Sequence, residues 1–237
     1  MKKRPPPPLR LRLNPRPSAK KSLAQHFLTN PRVVPKMVSA ASLKAGDRVL
    51  EIGPGTGALT AGLLAAGARV VALEADSRMV DLLREHFAKE IAAGTLTLHH
   101  SDVRKHPLGD LVPEGVLYKI VSNIPYYLSG FLLRSALSQK RQPECVVFLV
   151  QKEVAERVAR SKKESLLSLS VKAYGTPRYV ATVGRGNFSP MPKVDSAILA
   201  IEDISRERFK DLDEAWFFKG LHAAFASRRK QLIGNLS

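Results

Sequence analysis

Asn123, Ile124, Pro125 and Tyr126 close an apolar run, YKIVS, with an amide, an aliphatic residue, an imino acid and an aromatic ring in that order. Those types in that order can do one demanding piece of chemistry. An amino nitrogen attached to an aromatic base is a poor nucleophile because its lone pair is delocalised into the ring. Two acceptors set about it, each taking one N–H, localise that pair. The side-chain oxygen of Asn123 is one such acceptor, and a neighbouring main-chain carbonyl, that of Ile124, is the other. Pro125 has no N–H to compete and stiffens the turn. Tyr126 offers a flat face for the base, a contact worth ~1–3 kcal/mol. The same tetrapeptide is also an ordinary way to end a strand, since Asn and Pro both punctuate strands. What stands upstream decides between turn and site.

From Pro31 onward the hydropathy pattern alternates. RVVPKMVSAASL has helical apolar spacing, RVLEIG reads as a short strand, ALTAGLLAAG as a helix ending at Gly67, and RVVALEA as a second strand. SRMVDLLREHFAKEIAAG follows as one amphipathic helix with Ser77 as N-cap and Gly94 past its end. TLTLHHSD and YKIVSN read as further strands, GFLLRSALSQ as a helix, and ECVVFLVQ as a fifth strand. Strands separated by helices of this length imply parallel βαβ units with helices on both faces of one sheet. Beyond KEVAERVARS and a helix-like ESLLSLSVKAYG, the runs RYVATVG and SAILAIED are expected to pair antiparallel at the sheet's edge. The final segment, from LDEAWFFKG on, is helical and too short to form a domain alone.

Parallel α/β sheets gather ligands outside the carboxyl ends of their strands. The first such end is EIGPGTGAL, where Gly53, Gly55 and Gly57 permit a tight turn and close backbone approach, and the following helix offers free N–H groups. The second ends at Glu74, a carboxylate placed to accept hydrogen bonds from ribose hydroxyls. Both features fit a dinucleotide as well. The third ends at Asp102, which is either a cap or an acceptor for the exocyclic amine of a cofactor's adenine. The fourth is Asn123-Ile-Pro-Tyr126, and this end turns the reading toward S-adenosyl-L-methionine, whose methyl an amino nitrogen can attack directly. A base reaches that methyl only if it leaves its helix or lies in a single strand.

Composition narrows the partners. A formal net charge of +17 draws polyanions, above all nucleic acid. Eight of those charges stand within the first 21 residues, which carry no acidic residue and several prolines. This stretch is either a solvated disordered tail or an arm that follows phosphates. No apolar run approaches the ~20 residues of a spanning helix. The one cysteine, Cys145, rules out an internal disulfide framework and fits a reducing, cytoplasmic compartment. No zinc set can be assembled from one Cys and six scattered His, and the adjacent His99 and His100 point to opposite faces of a strand, so no metal is expected.

These motifs resemble the rRNA adenine N6-dimethyltransferases, most closely the KsgA-type branch that acts on small-subunit rRNA. The similarity runs from AQHFLTNP through EIGPGTGALT, LEAD, SD, NIPYYLS and FLVQKEVAERV to FSPMPKVDSAIL and AFASRRKQLIGNLS, over most of residues 18–237. It implies a Rossmann-like, S-adenosyl-L-methionine-dependent α/β core with a short, truncated helical C-terminal appendage. Two methyls are then delivered to each of two adjacent adenosines of small-subunit rRNA, in a pre-ribosomal particle. The resemblance also implies cofactor contacts from His26, Leu28, Gly53, Gly55, Glu74, Asp102 and Asn123. Phe188 becomes the second aromatic, opposite Tyr126, around the target adenine; taken without the resemblance it reads as core. Lys193, Arg228, Arg229 and Lys230 become phosphate contacts, although a charge run is usually a solvated face.

The expected organisation is a basic tail over 1–21, a catalytic domain over 22–204 and a partial RNA-binding region over 205–237, in a monomer. Two departures stand out. Ala24 replaces the usual glycine before QHFL, and the chain stops at Ser237 where family members continue for several helices. The basic arm is expected to take over part of the missing grip on RNA. Two rivals share the motifs: a large-subunit rRNA dimethyltransferase of the macrolide-resistance type, and a mainly non-catalytic ribosome-assembly or transcription factor. FLVQKEVAERV and FSPMPKVDSA favour the small-subunit branch, and the intact glycine loop, Glu74, Asp102 and NIPY favour catalysis.

Overall fold

The computed structural model describes residues 25–226. The basic arm, Ala24, and the triplet Arg228, Arg229 and Lys230 lie outside the described residues.

Strands form where β-branched and aliphatic residues run together. β2 (Arg48–Ile52), β3 (Arg69–Glu74), β4 (Leu96–His100), β5 (Tyr118–Asn123), β6 (Cys145–Gln151), β7 (Thr176–Val183) and β9 (Ser196–Glu202) build one seven-stranded sheet in the order β4-β3-β2-β5-β6-β9-β7. The five strands from β4 to β6 are mutually parallel, and β9 runs antiparallel to both its neighbours. β6 and β9 are buried almost end to end, as strands covered on both faces must be. The late pair RYVATVG and SAILAIED does join antiparallel at the edge, with the second run taking the inner position beside β6.

Helices cover both faces. α1 (Val33–Ala40), α2 (Ala58–Ala65) and α3 (Ser77–His86) pack into one apolar cluster through Met37, Leu63 and Leu83. α5 (Ser129–Leu137), α6 (Lys152–Ala159) and α7 (Leu166–Lys172) pack into the other through Leu132, Val158 and Val171. The chain leaves β2 toward β3 and β4, then returns to β5 on β2's other side. That reversal opens a crevice at the carboxyl ends of β2 and β5.

The long amphipathic segment after β3 differs from its expected form in two ways. Asp76, not Ser77, is the N-cap: it has extended backbone and its side chain accepts from the Arg78 N–H at 3.2 Å. The helix also breaks at Phe87 into α3 and a short α4 (Ala88–Ala92). Phe87 leaves helical geometry (φ −111°, ψ 27°) and buries its ring beside the glycine loop, 2.5 Å from where a Cβ on Gly57 would stand.

A separate two-stranded patch was not legible in the pattern. β1 (Phe27–Leu28) pairs antiparallel with β8 (Phe188–Ser189), and Thr29 N–H extends the contact to the Asn187 carbonyl at 2.9 Å. Past β9, α8 (Glu214–Ala224) packs on α7 through an aromatic cluster in which Tyr174 stacks on Phe218 at 5.5 Å. Glu214 accepts from Arg206 Nε at 2.8 Å and from the Tyr174 hydroxyl, tying this region to the core. No helix among the described residues is long and apolar enough to cross a membrane.

Candidate active site

The crevice above β2 and β5 is a pocket of about 1060 Å³, its open mouth included. His26, Leu28, Gly53, Gly55, Glu74, Asp102, Asn123, Ile124, Pro125 and Tyr126 all line it. Segments spread over a hundred residues are thus brought to one hollow.

The floor is the glycine turn. Gly53, Gly55 and Gly57 all have positive φ, at 67°, 57° and 80°. At Gly57 the conformation and the Phe87 ring together exclude a side chain. Gly55 donates its N–H to Glu74 Oε2 at 3.0 Å, while Ala75 and Asp76 donate theirs to Oε1 at 2.8 and 2.9 Å. Three of the roughly four acceptor positions of this carboxylate are therefore engaged, which fixes its plane toward the hollow. Burial pushes its pKa up, opposed by those three N–H groups.

At the third strand end, Asp102 is both a cap and a lining residue of the pocket. Its Oδ1 caps the following turn by accepting from Arg104 N–H at 2.9 Å. The Arg104 guanidinium grips both carboxylate oxygens and holds the Asp102 pKa down at about 2. An incoming amine must share this carboxylate with Arg104.

At the fourth end, Asn123 Nδ2 donates to the His26 carbonyl at 3.2 Å. With the amino half of the amide committed there, Oδ1 is the half left for a ligand's N–H. The Pro125 carbonyl accepts from Leu128 N–H at 3.0 Å, so it is already engaged, whereas Ile124, beside Asn123, lines the pocket. The Tyr126 ring is held from two sides. Its hydroxyl shares a 2.7 Å hydrogen bond with Ser196 Oγ, and the His26 ring stacks on it with centroids 5.5 Å apart and planes inclined by 28°. His26 Nδ1–H in turn donates to the Pro190 carbonyl at 2.8 Å. Burial pushes the Tyr126 phenol up, so it stays protonated at neutral pH.

Phe188 stands apart from the other expected site residues. It is 4% exposed, belongs to the apolar cluster around α1 and α2, and does not line the pocket. Pairing in β8 turns its ring inward, so the ring that stacks on Tyr126 is that of His26. Lys193 is exposed on the loop between β8 and β9. His99 and His100 are both exposed on β4, and no group of three or more metal-ligating side chains occurs among the described residues.

Two polar residues at the site escaped the sequence reading. Glu51 is 1% exposed, lines the pocket and accepts from Thr60 Oγ1 at 2.7 Å; burial pushes its carboxyl up to about 8. Only its place inside an otherwise apolar strand could have marked it. Ser196 is fully buried, and nothing in VDSAIL points to a tyrosine seventy residues earlier.

Comparison with known proteins places the chain in a family. The family described as Ribosomal RNA adenine dimethylase matches residues 16–237. The ribosomal RNA small subunit methyltransferase A of Dehalococcoides mccartyi (strain CBDB1) is 42% identical over 220 residues, covering 92% of this chain and 75% of that protein. Among solved structures, a dimethyladenosine transferase from Plasmodium falciparum superposes with a TM-score of 0.75 at 32% identity, over 89% of this chain and 74% of that one. The 23S rRNA methyltransferase ErmE superposes with a TM-score of 0.72 at 23% identity, over 89% and 83%, a likeness of fold alone.

Proposed function

This chain belongs to the ribosomal RNA adenine dimethylase family and is an rRNA adenine dimethyltransferase; from that premise we propose that it dimethylates N6 of two adjacent adenosines in small-subunit, 16S-type rRNA during maturation of the subunit. The relatives at 40–42% identity over 92% of the chain are small-subunit enzymes, which supports that target over the large-subunit alternative. The intact strand-end residues support catalysis over a purely structural role in assembly.

The residues fit S-adenosyl-L-methionine. A glycine turn without β-carbons makes the floor, the Glu74 carboxylate would take ribose hydroxyls, Asp102 the adenine amine, and His26, Leu28, Gly53 and Gly55 the remaining contacts. When bound, the cofactor supplies a sulfonium methyl that is already electrophilic.

The chain's own residues do the rest by position. Asn123 Oδ1 accepts one hydrogen of the target N6 and the Ile124 carbonyl accepts the other, which localises the nitrogen lone pair toward the pocket. Tyr126 supports the extruded base on the ring face away from His26. No side chain need act as a base, because the N6 proton becomes acidic once the nitrogen is alkylated and passes to solvent. The monomethyl product keeps one N–H for the same acceptors, so a second round is chemically open. Lys193, with Arg228, Arg229 and Lys230, contributes phosphate contacts.

The observation that carries this reading is the orientation of the Asn123 amide, set by its bond to the His26 carbonyl. Asn123→Ala should bind cofactor and RNA with near-normal affinity and lose methylation by about 10²–10³-fold, measured by mass spectrometry of rRNA nucleosides. Full methylation by that variant would reject the assignment.

A further inference from the structure

The turn that carries Tyr126 continues directly into α5, and this continuous piece has two unlike faces. Leu132, Leu133, Ala136 and Leu137 are fully buried. Tyr127, Phe131 and Arg134, spaced by four and then three residues, lie on the opposite side and are exposed. Tyr127 is 56% exposed and Phe131 38%. Neither ring is needed by the core, and Tyr127 stands at the mouth of the pocket, of whose lining it forms part.

The electrostatics of the stripe are one-sided. No acidic residue occurs between Glu114 and Glu144. Of the cations in that stretch, Lys119 is paired with Asp47 and Arg141 donates to the carbonyls of Gly109, Val112, Pro113 and Val116. Arg134 and Lys140, both exposed, therefore supply the positive charge. Arg104 also borders the pocket, but its charge is met by Asp102. Two exposed rings followed by a cation, leading away from a pocket that admits a base, make a surface suited to a polyanion with flat faces.

We propose that Tyr127, Phe131 and Arg134 form a track for the single-stranded nucleotides next to the target adenosine, with bases on the two rings and a phosphate on Arg134. This rests on the function proposed above. From Tyr127, in the 3₁₀ turn that precedes α5, to Phe131, in α5, the four residues advance about 6–8 Å along the axis, roughly twice the ~3.4 Å rise of stacked nucleotides. Neighbouring bases on the two rings are therefore splayed rather than stacked on each other. That is the condition an extruded base imposes on its neighbours. The track would hold the strand while one adenosine leaves the pocket and the adjacent one enters.

The test uses the full chain and a short single-stranded RNA bearing two adjacent adenosines, with 2-aminopurine placed in turn on either side of the pair. Phe131→Ser should weaken RNA binding about tenfold and abolish the fluorescence quenching at one flanking position. Phe131→Tyr should stay within twofold of the parent, which separates loss of a ring from loss of folding. Arg134→Gln should reduce the slope of log affinity against log salt by about 0.7. Parent-like affinity and quenching in Phe131→Ser, or an unchanged slope in Arg134→Gln, overturns the track. Methylation of immature small-subunit particles by the parent chain is measured alongside. Its presence with unaffected variants removes the track alone, and its absence removes the function on which the track rests.

Discussion

At the scale of single residues, the site works by holding groups still. Ser196 and Tyr126 share one hydrogen bond, and its loss frees the ring proposed to support the base. Ser196→Ala and Tyr126→Phe should each raise the KM for RNA several-fold, and the double variant should be no worse than either single one. A double-mutant cycle in methylation assays reads this directly, and additive losses would separate the two residues. Glu51 makes a different prediction. Its carboxyl titrates near 8 in the fold against an ordinary value of 4.5, so the folded chain keeps a proton that the unfolded chain has released. Stability conferred by the neutral form is complete below about pH 4.5 and is lost as pH rises toward 8 and beyond. Glu51→Gln keeps an acceptor for Thr60 and removes the titration. Denaturation at pH 5, 6.5 and 8 should show the variant close to the parent at the lowest value and more stable, by a few kcal/mol, at the highest. Parallel curves would contradict the assignment. Asp102, held near 2 by Arg104, should add no pH dependence in that range.

At the scale of elements, the glycine turn is shaped as much by packing as by ligand access. A methyl on Gly57 would meet Phe87 at 2.5 Å and Leu83 at 3.0 Å, on a backbone with φ 80°. Gly57→Ala should therefore cost on the order of 3 kcal/mol from strain and overpacking together, seen as a lowered denaturation midpoint. An undiminished midpoint would mean that the turn can relax. The same elements show what was legible beforehand. Periodicity placed the strands and most helices because each carries its own burial pattern, and strand ends named most of the pocket because parallel sheets put ligands there. The break at Phe87 and the β1–β8 patch were not legible. One depends on a ring filling space under a distant loop, the other on two residues meeting two residues across the chain. The place of Phe188 was not legible for the same reason: its motif suggested an aromatic wall, whereas in the fold it pairs with Leu28 and joins the apolar cluster.

At the scale of the whole molecule, charge governs encounter. Six of the seventeen net charges precede Ser18. Deleting residues 1–17 should weaken RNA binding and lower its salt slope by up to about 4 if every one of those cations meets a phosphate. A salt titration giving the parent slope would reduce the arm to a solvated tail. The seam between β1 and β8 has a further consequence, for the order in which the protein becomes competent during synthesis. Phe27 and Leu28 meet Ser189 and Phe188, and His26 is tied to Pro190. A nascent chain still short of Asn187 already holds the glycine turn, Glu74, Asp102 and Asn123, with the Asn123 bond to the His26 carbonyl, yet lacks the strand that pairs with Phe27 and Leu28. Translation must therefore pass this point before the hollow can close, and donor binding by stalled chains of increasing length should switch on there.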